Sequence, residues 1–369
     1  MTLYLVITGV LLFYYLFYIK IFKNGLSRKY FNANIEKSFV SVVVAARNEQ
    51  DNLPHLLTSL INQDYPDENY EIIIADDSSV DESAEIVKKF QKRTRNLRLI
   101  KVPSPDPNIS RKKNALSHAV KNSKGKIILS TDADCMPKLT WISGMVRYFD
   151  KGVGMVCGLS LPNVSTGQKY NFVEKYELID TITLFVAAAG ALGRGKIFSG
   201  SGQNLAYRRK AFDKVDGYQK IMQYESGDDV LLMQLLRKAG YKIRFAFGKK
   251  TFIQTKSEKN LLNFLNQRIR WASNETPQLF MNREFFFYLL DVFFLNITIL
   301  VGIIFYPIFG LAALLIKAFA EYSIIQQGIK RFQLNKNMKK LFPLWAILQP
   351  LYIFIVGLAG KLKLYEWKK

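Results

Sequence analysis

The sequence predicts an α/β domain built on a parallel sheet and flanked by apolar segments long enough to cross a membrane. Three observations predict it. Short valine- and isoleucine-rich runs alternate with amphipathic stretches through the middle of the chain, acidic residues follow the ends of those runs, and both ends carry long apolar stretches. Of the 369 residues 49% are hydrophobic, which excludes a disordered or collagen-like chain and leaves ample surface for a core. The 52 Lys+Arg against 30 Asp+Glu give a net charge of +22, which suits nucleic acid and an anionic membrane equally well. Two cysteines, Cys135 and Cys157, form neither a CxxC pair nor a disulfide framework, and two histidines leave little scope for zinc or triad chemistry. Any metal must be held mostly by carboxylates.

Residues 1–22 read as a retained membrane anchor. Their apolar run, 3–19, is uncharged, and Lys20, Lys23, Arg28 and Lys29 follow it, the reverse of a signal peptide. A basic linker, 23–38, leads into a domain spanning 39–282. There, 39–46 is a strand buried on both faces, 52–63 a helix, 71–75 a second strand and 85–93 a helix, with further strands at 98–102 and 126–131. The stretch 168–193 is apolar but interrupted by Asp180 and reads as a helix lying along a membrane. Residues 230–239 form a helix opened by Asp228-Asp229 and ended by Gly240. Segments 285–306 and 308–325 are long enough to span, and Lys317 and Glu321 stand four apart, able to pair on one helix face. A basic loop, 326–340, precedes a spanning or re-entrant segment, 341–360, that Pro343 and Pro350 would kink. The positive-inside tendency makes this a multi-pass protein of the cell (inner) membrane with its middle domain in the cytoplasm. A third full span would leave Lys361, Lys363, Lys368 and Lys369 against that tendency.

In parallel α/β sheets ligands bind beyond the carboxyl ends of the strands, so the residues there carry the chemistry. Arg47, Asn48 and Glu49 follow the first strand, Asp76 and Asp77 the second, Asp132 and Asp134 the fourth. No GxGxxG occurs. Gly190, Gly195 and Lys196 have phosphate-loop spacing, but Ile197 stands where Ser or Thr is required. Asp132 and Asp134 are two apart and point the same way in extended chain, where two carboxylates need a cation. Oxygen-only ligation suits Mg²⁺ or Mn²⁺, which prefers a diphosphate to complete its shell. An ordinary acidic turn is the plainer reading of that pair alone, as a helix cap is of Asp228 or Asp229. Gln267-Arg268-Ile269-Arg270-Trp271 is a basic-aromatic cluster that would also suit a membrane interface. Most of the basic residues within 88–113 read as a solvated face whose field favours anionic lipid.

In this order the residues resemble the processive-type branch of the family-two inverting glycosyltransferases, cellulose and poly-N-acetylglucosamine synthases among them, marked by D, D, D and Q/RxxRW. Ala46-Arg47-Asn48-Glu49 resembles the family's opening motif, Asp76-Asp77 its nucleotide motif, Lys112 to Leu116 its Lys-x-x-Ala-Leu segment and Asp132-Ala133-Asp134 its DxD. Asp229 falls where the family keeps its general base, and Gln267, Arg270 and Trp271 match the last signature. Asp228 replaces the family's usual glutamate, and Ser78 a frequent glycine. The resemblance implies a GT-A, Rossmann-like domain that binds a UDP-sugar, with Asp76 on uracil and with Ala46, Arg47, Asn48, Glu49, Asp77 and Lys112 nearby. It further implies Asp134 with Asp132 on Mg²⁺ or Mn²⁺, Arg270 on the diphosphate, Trp271 beneath a sugar ring, and Asp229 with Asp228 as the base. The acceptor would be a glycan or a lipid-linked sugar, and anionic membrane lipid a partner. Two other readings stand beside this one: transfer of a single sugar to a lipid, as in ceramide-type glucosyltransferases, and a catalytically silent subunit of a glycan-export assembly. Nucleic acid is not an expected partner, because no aromatic-basic reading surface is visible.

Overall fold

The computed structural model describes residues 1–30, 38–163, 170–273 and 275–366, so part of the basic linker and residues 164–169, 274 and 367–369 lie outside the described residues. From the N-terminus, α1 (Thr2–Leu26) precedes β1 (Val40–Ala46), α2 (Leu53–Ile61), β2 (Tyr70–Asp76), α3 (Ser83–Gln91) and β3 (Leu97–Lys101). Next come α4 (Arg111–Lys121), β4 (Ile127–Ser130), β5 (Cys135–Pro137), α5 (Trp141–Val146), β6 (Val153–Gly158), β7 (Ser160–Pro162) and α6 (Phe172–Gly193). The chain continues through β8 (Leu205–Arg208), α7 (Arg209–Lys214), α8 (Val230–Lys238), β9 (Lys242–Ala246) and β10 (Ile253–Thr255). It closes with α9 (Leu261–Ala272), α10 (Glu275–Met281), α11 (Arg283–Phe305), α12 (Pro307–Arg331) and α13 (Phe342–Lys361).

Two compact units share these elements. Lys29–Asn163 and Gly200–Lys256 make a sheet-based unit, and Met1–Arg28, Val164–Ser199 and Ser257–Lys369 a helical one. The continuous domain read over 39–282 is therefore divided, with 164–199 and 257–282 assigned to the helices.

The sheet unit is built on seven strands in the order β3-β2-β1-β4-β8-β6-β9. All residues of β2 and all but one of β1 are buried, because helices cover both faces; a strand so placed is apolar along its whole length instead of alternating. Ser41 is the polar exception in β1, and its hydroxyl donates to Glu71 Oε1 at 2.7 Å. β3-β2-β1-β4 pair in parallel, as the alternating pattern predicts. β8 runs antiparallel to both β4 and β6, so the sheet is mixed. Its four residues carry no periodic signal of direction. Parallel pairing runs from Val40 beside Tyr70 to Ala46 beside Asp76, so the ends of β1 and β2 lie together, with β4 on the other flank of β1. A second sheet, β5-β10-β7, extends this unit.

Among the described residues five helices of the helical unit, α1, α6, α11, α12 and the segment Lys336–Lys361 that ends in α13, are long and apolar enough to cross a membrane. The segment 168–193, read as lying along a membrane, gives the helix Phe172–Gly193. This helix is the interior one, with 83% of its apolar window buried against 28–33% in the other four. A helix that is apolar all round needs such cover. Its start is fixed by a capping box, in which Asn171 and Glu174 exchange side-chain-to-backbone bonds of 2.9 and 3.0 Å. α1 meets it through bare backbone: a methyl group at Gly25 would stand 1.8 Å from the Gly190 carbonyl oxygen, and one at Gly193 2.1 Å from that of Gly25. α13 runs unbroken through Pro350, with Pro343 in its first turn, where no amide is missed. Lys317 and Glu321 pair at 2.8 Å as their spacing predicts; Tyr15 donates to the same carboxylate at 2.6 Å, and Gln349 accepts from the lysine. Pairing offsets the cost of holding these charges away from water.

Candidate active site

Along the rim where β1, β2 and β4 end, the loops after β1 and β2 are joined to each other. The Ala46 carbonyl accepts from the Asp77 amide at 2.9 Å. The Asn48 amide donates to Ser79 Oγ (3.1 Å) and that of Val80 to Asn48 Oδ1 (2.9 Å), while the Glu49 amide donates to Ser83 Oγ (2.8 Å). Asn48 and Ser78 adopt left-handed backbone, φ 54 and 58°, a conformation that asparagine tolerates and that costs serine about 1 kcal/mol. Arg47 is exposed. Asp76 is 6% exposed; its Oδ1 accepts from the Ser79 amide at 3.1 Å. Asp77, the second residue of that motif, is turned to Arg111, which grips it through Nε (2.8 Å) and Nη2 (2.9 Å). Such a planar two-point pair fixes orientation as well as charge.

The first turn of α4 gathers the rest. Ser110 caps it, and the next three residues are basic. Lys112 Nζ lies 2.8 Å from Asp132 Oδ1 and 3.1 Å from Asp228 Oδ2, joining the loop after β4 to the loop before α8. Burial alone would lower this ammonium, but the two carboxylates outweigh it and hold it above the usual lysine range. Lys113 is fully buried, and its Nζ donates to the Tyr224 and Ser226 carbonyls. Its burial pushes the ammonium down, against the charge of Asp228.

Asp228 and Asp229 differ sharply. Asp228 is 8% exposed; burial works against its charge, but Lys112 and Lys113 prevail and hold the carboxyl below its ordinary range. Asp229 caps α8, with Oδ1 accepting from the Val230 amide (2.6 Å) and Oδ2 from the Gly202 amide (2.9 Å). Burial, then the adjacent Asp228 charge, pushes its carboxyl up to about 6. Gly202 has no room for a side chain: a methyl group there would stand 2.5 Å from Asp228 Oδ2.

Asp134 is likewise pushed up to about 6, first by burial and then by the charges of Asp132 and Glu49; its Oδ1 accepts the Cys135 thiol at 3.6 Å. Crowded carboxylates of this kind fit a cation. Among the described residues no three His, Cys, Asp or Glu side chains form a metal cluster. A cation on Asp134 and Asp132 would draw the remainder of its shell from phosphate oxygens and water, the habit of Mg²⁺ and Mn²⁺. The residues fit such an ion.

Gln267, Arg270 and Trp271 lie on α9 of the helical unit, and Arg268 between them touches the first and the last. Arg268 is 3% exposed, pairs with Asp180 at 2.8 Å, donates to Gln267 Oε1 and Thr181 Oγ1 (3.1 Å), and lies 4.2 Å from the Trp271 ring centre. Asp180 also receives Trp345 Nε1 at 3.2 Å. Trp271 itself stays 41% exposed.

Sequence reading missed four residues of these networks: Arg111, Lys113, Arg268 and, as a fixed contact, Gly202. Arg111, Lys112 and Lys113 belong to the basic stretch read mostly as solvated; the first two are half-buried in ion pairs and the third is fully buried. Their adjacency at a helix start, directly after a capping serine, is the signal that distinguishes them.

The sheet order, the acidic rim and the capped α8 define a GT-A-like α/β glycosyltransferase fold. Over 98% of this chain and 99% of its own, the mannosyltransferase PcManGT from Pyrobaculum calidifontis, solved with GDP-Man and Mn²⁺, superposes with a TM-score of 0.64 at 17% identity. Residues 41–216 match the sequence model described as Glycosyl transferase family 2. The probable glycosyltransferase YdaM of Bacillus subtilis (strain 168) is 27% identical over 237 residues, 63% of this chain and 54% of that protein. The beta-monoglucosyldiacylglycerol synthase of Nostoc sp. strain PCC 7120 is 27% identical over 236 residues, 63% of this chain and 48% of that protein. The matched part thus spans about half the length of these relatives.

Proposed function

We propose that the protein is a membrane-bound, inverting glycosyltransferase that moves glucose or N-acetylglucosamine from a UDP-sugar to a glycan or lipid-linked acceptor by single displacement. The observation that carries this reading is the Lys112 bridge between Asp132 and Asp228, with Asp229 at the next position, on the rim where β1, β2 and β4 end. It joins a cation-binding loop to a base-bearing loop. Asp76 reads the nucleobase, and Asp77 holds its loop through Arg111. Asp134 and Asp132 would hold Mg²⁺ or Mn²⁺, which when bound would supply positive charge to offset that on the departing UDP. Arg270 is assigned to phosphate oxygens and Trp271 to the sugar ring, on the resemblance. Asp229 Oδ takes the proton of the acceptor hydroxyl as its oxygen bonds to the anomeric carbon; the bond to UDP breaks on the opposite side, and the configuration inverts. Asp228, kept ionised by two lysines, raises the basicity of Asp229. The excess positive charge favours anionic lipid at the surface where the donor arrives.

Transfer of one sugar to a lipid is a second reading, supported by the name of the Nostoc relative. One experiment serves both. Detergent-purified protein is offered UDP-glucose, UDP-N-acetylglucosamine and GDP-mannose with and without EDTA, nucleoside diphosphate release is followed, and products are sized by mass spectrometry. Metal-dependent release from one donor is expected. Asp229→Asn should lower kcat by about 10²–10⁴ with donor binding nearly intact. Wild-type turnover in that variant removes the residue from its role.

A further inference from the structure

The loop that carries Asp228 and Asp229 is not held by its own residues alone. Five contacts tie it to one short segment, residues 110–113. The Ser110 amide donates to the Met222 carbonyl at 2.9 Å and its hydroxyl to the Glu225 carbonyl at 3.2 Å. Lys113 Nζ donates to the Tyr224 carbonyl and, at 3.0 Å, to that of Ser226, and Lys112 pairs with Asp228. Lys113 has no counterpart in the motif that recommends Lys112, and its Nζ is directed at backbone carbonyls of the Asp228 loop. It is wholly buried, where an amine is costly unless every bond it makes is used. Backbone carbonyls two and four residues before Asp228 use two of them.

We propose that Lys113 is a positioning residue: by gripping the Tyr224 and Ser226 carbonyls it fixes the turn at Gly227 and so sets Asp229 in line with the acceptor hydroxyl, without contributing to donor binding. The Gly227 backbone, at φ 82°, lies between the gripped carbonyl of Ser226 and the two aspartates. Without the grip, that glycine can swing the pair. The contacts from the same turn to the donor side run through Arg111 to Asp77 and are left whole when Lys113 changes. The inference rests on the reading of Asp229 as the base, and the test separates the two.

Lys113→Met keeps the length of the side chain and removes both bonds. Initial rates of UDP release are measured with whichever of UDP-glucose and UDP-N-acetylglucosamine the wild type turns over, and affinity for UDP with Mn²⁺ by calorimetry. The expected result is a kcat lowered about tenfold or more, with donor KM and UDP affinity within about twofold of wild type. In an Asp229→Asn background the same change should add little further loss, because the group being positioned has gone. The proposal is overturned by an unchanged kcat, by KM and UDP affinity weakening in step with kcat, or by a loss that multiplies in full onto that of Asp229→Asn. Wild-type turnover by Asp229→Asn alone removes the reading of the base, and this proposal with it. Should Lys113→Met fail to fold, Ser110→Ala, which deletes the hydroxyl tie to Glu225, is read by the same split and the same outcomes.

Discussion

Asp228 and Asp229 share a peptide bond and little else. Two lysines hold the first ionised, while burial and that very charge raise the second to about 6. A base must be unprotonated to work, so kcat should fall as pH drops through about 6 and level off above about 7, measured with saturating donor from about pH 5 to pH 8. A profile flat across that window would exclude Asp229. Gly202→Ala places a methyl group against Asp228 Oδ2 and should lower kcat about as far as a direct change at the pair, with fold retained by circular dichroism. In the sequence this pair reads as an acidic start to a helix, which a cap alone would explain; only its place in the order of motifs gave Asp229 an expected role. Lys113 was not legible: inside a run of basic residues it looks solvated, and the loop that buries it lies more than a hundred residues downstream. Asp77 was legible only as part of a motif, since nothing in its neighbours says that Arg111 will claim its carboxylate.

At the scale of elements, the strands and helices read between 39 and 131 fall within one or two residues of those observed, because apolar runs buried on both faces are hard to mistake, whereas α4, β5, α5, β6 and β7 carried no reading. Two further elements show why. β8 is too short to reveal its direction, and α6 carries Asp180, a charge that argues against an interior helix until Arg268 supplies its partner. That pair makes a prediction. Asp180→Ala leaves the guanidinium buried without its carboxylate partner and should cost about 3–5 kcal/mol, read as a lower unfolding temperature in detergent, whereas replacing both partners with apolar residues should cost much less. The contact of α1 with α6 makes another. Gly190→Leu puts a side chain where the Phe22 backbone already stands, 2.5 Å from the new Cβ, and overpacking of this sort costs about 1–3 kcal/mol. An unfolding temperature equal to wild type would show that the two helices part easily.

On the scale of the whole molecule, the two units are threaded through each other in chain order. The sheet-based unit is interrupted after Asn163 and resumes at Gly200, and everything between belongs to the helices. No pair of cuts therefore frees the sheet unit cleanly. A fragment of residues 38–256 would carry α6 away from every helix that shields it, with its long apolar surface turned to water. Such a piece should be recovered only as aggregates by size-exclusion chromatography, and exchanging 164–199 for a Gly/Ser linker should restore a monodisperse peak. Anyone wishing to crystallise the sheet-based half by itself will have to rewrite the middle of the gene, not trim its ends.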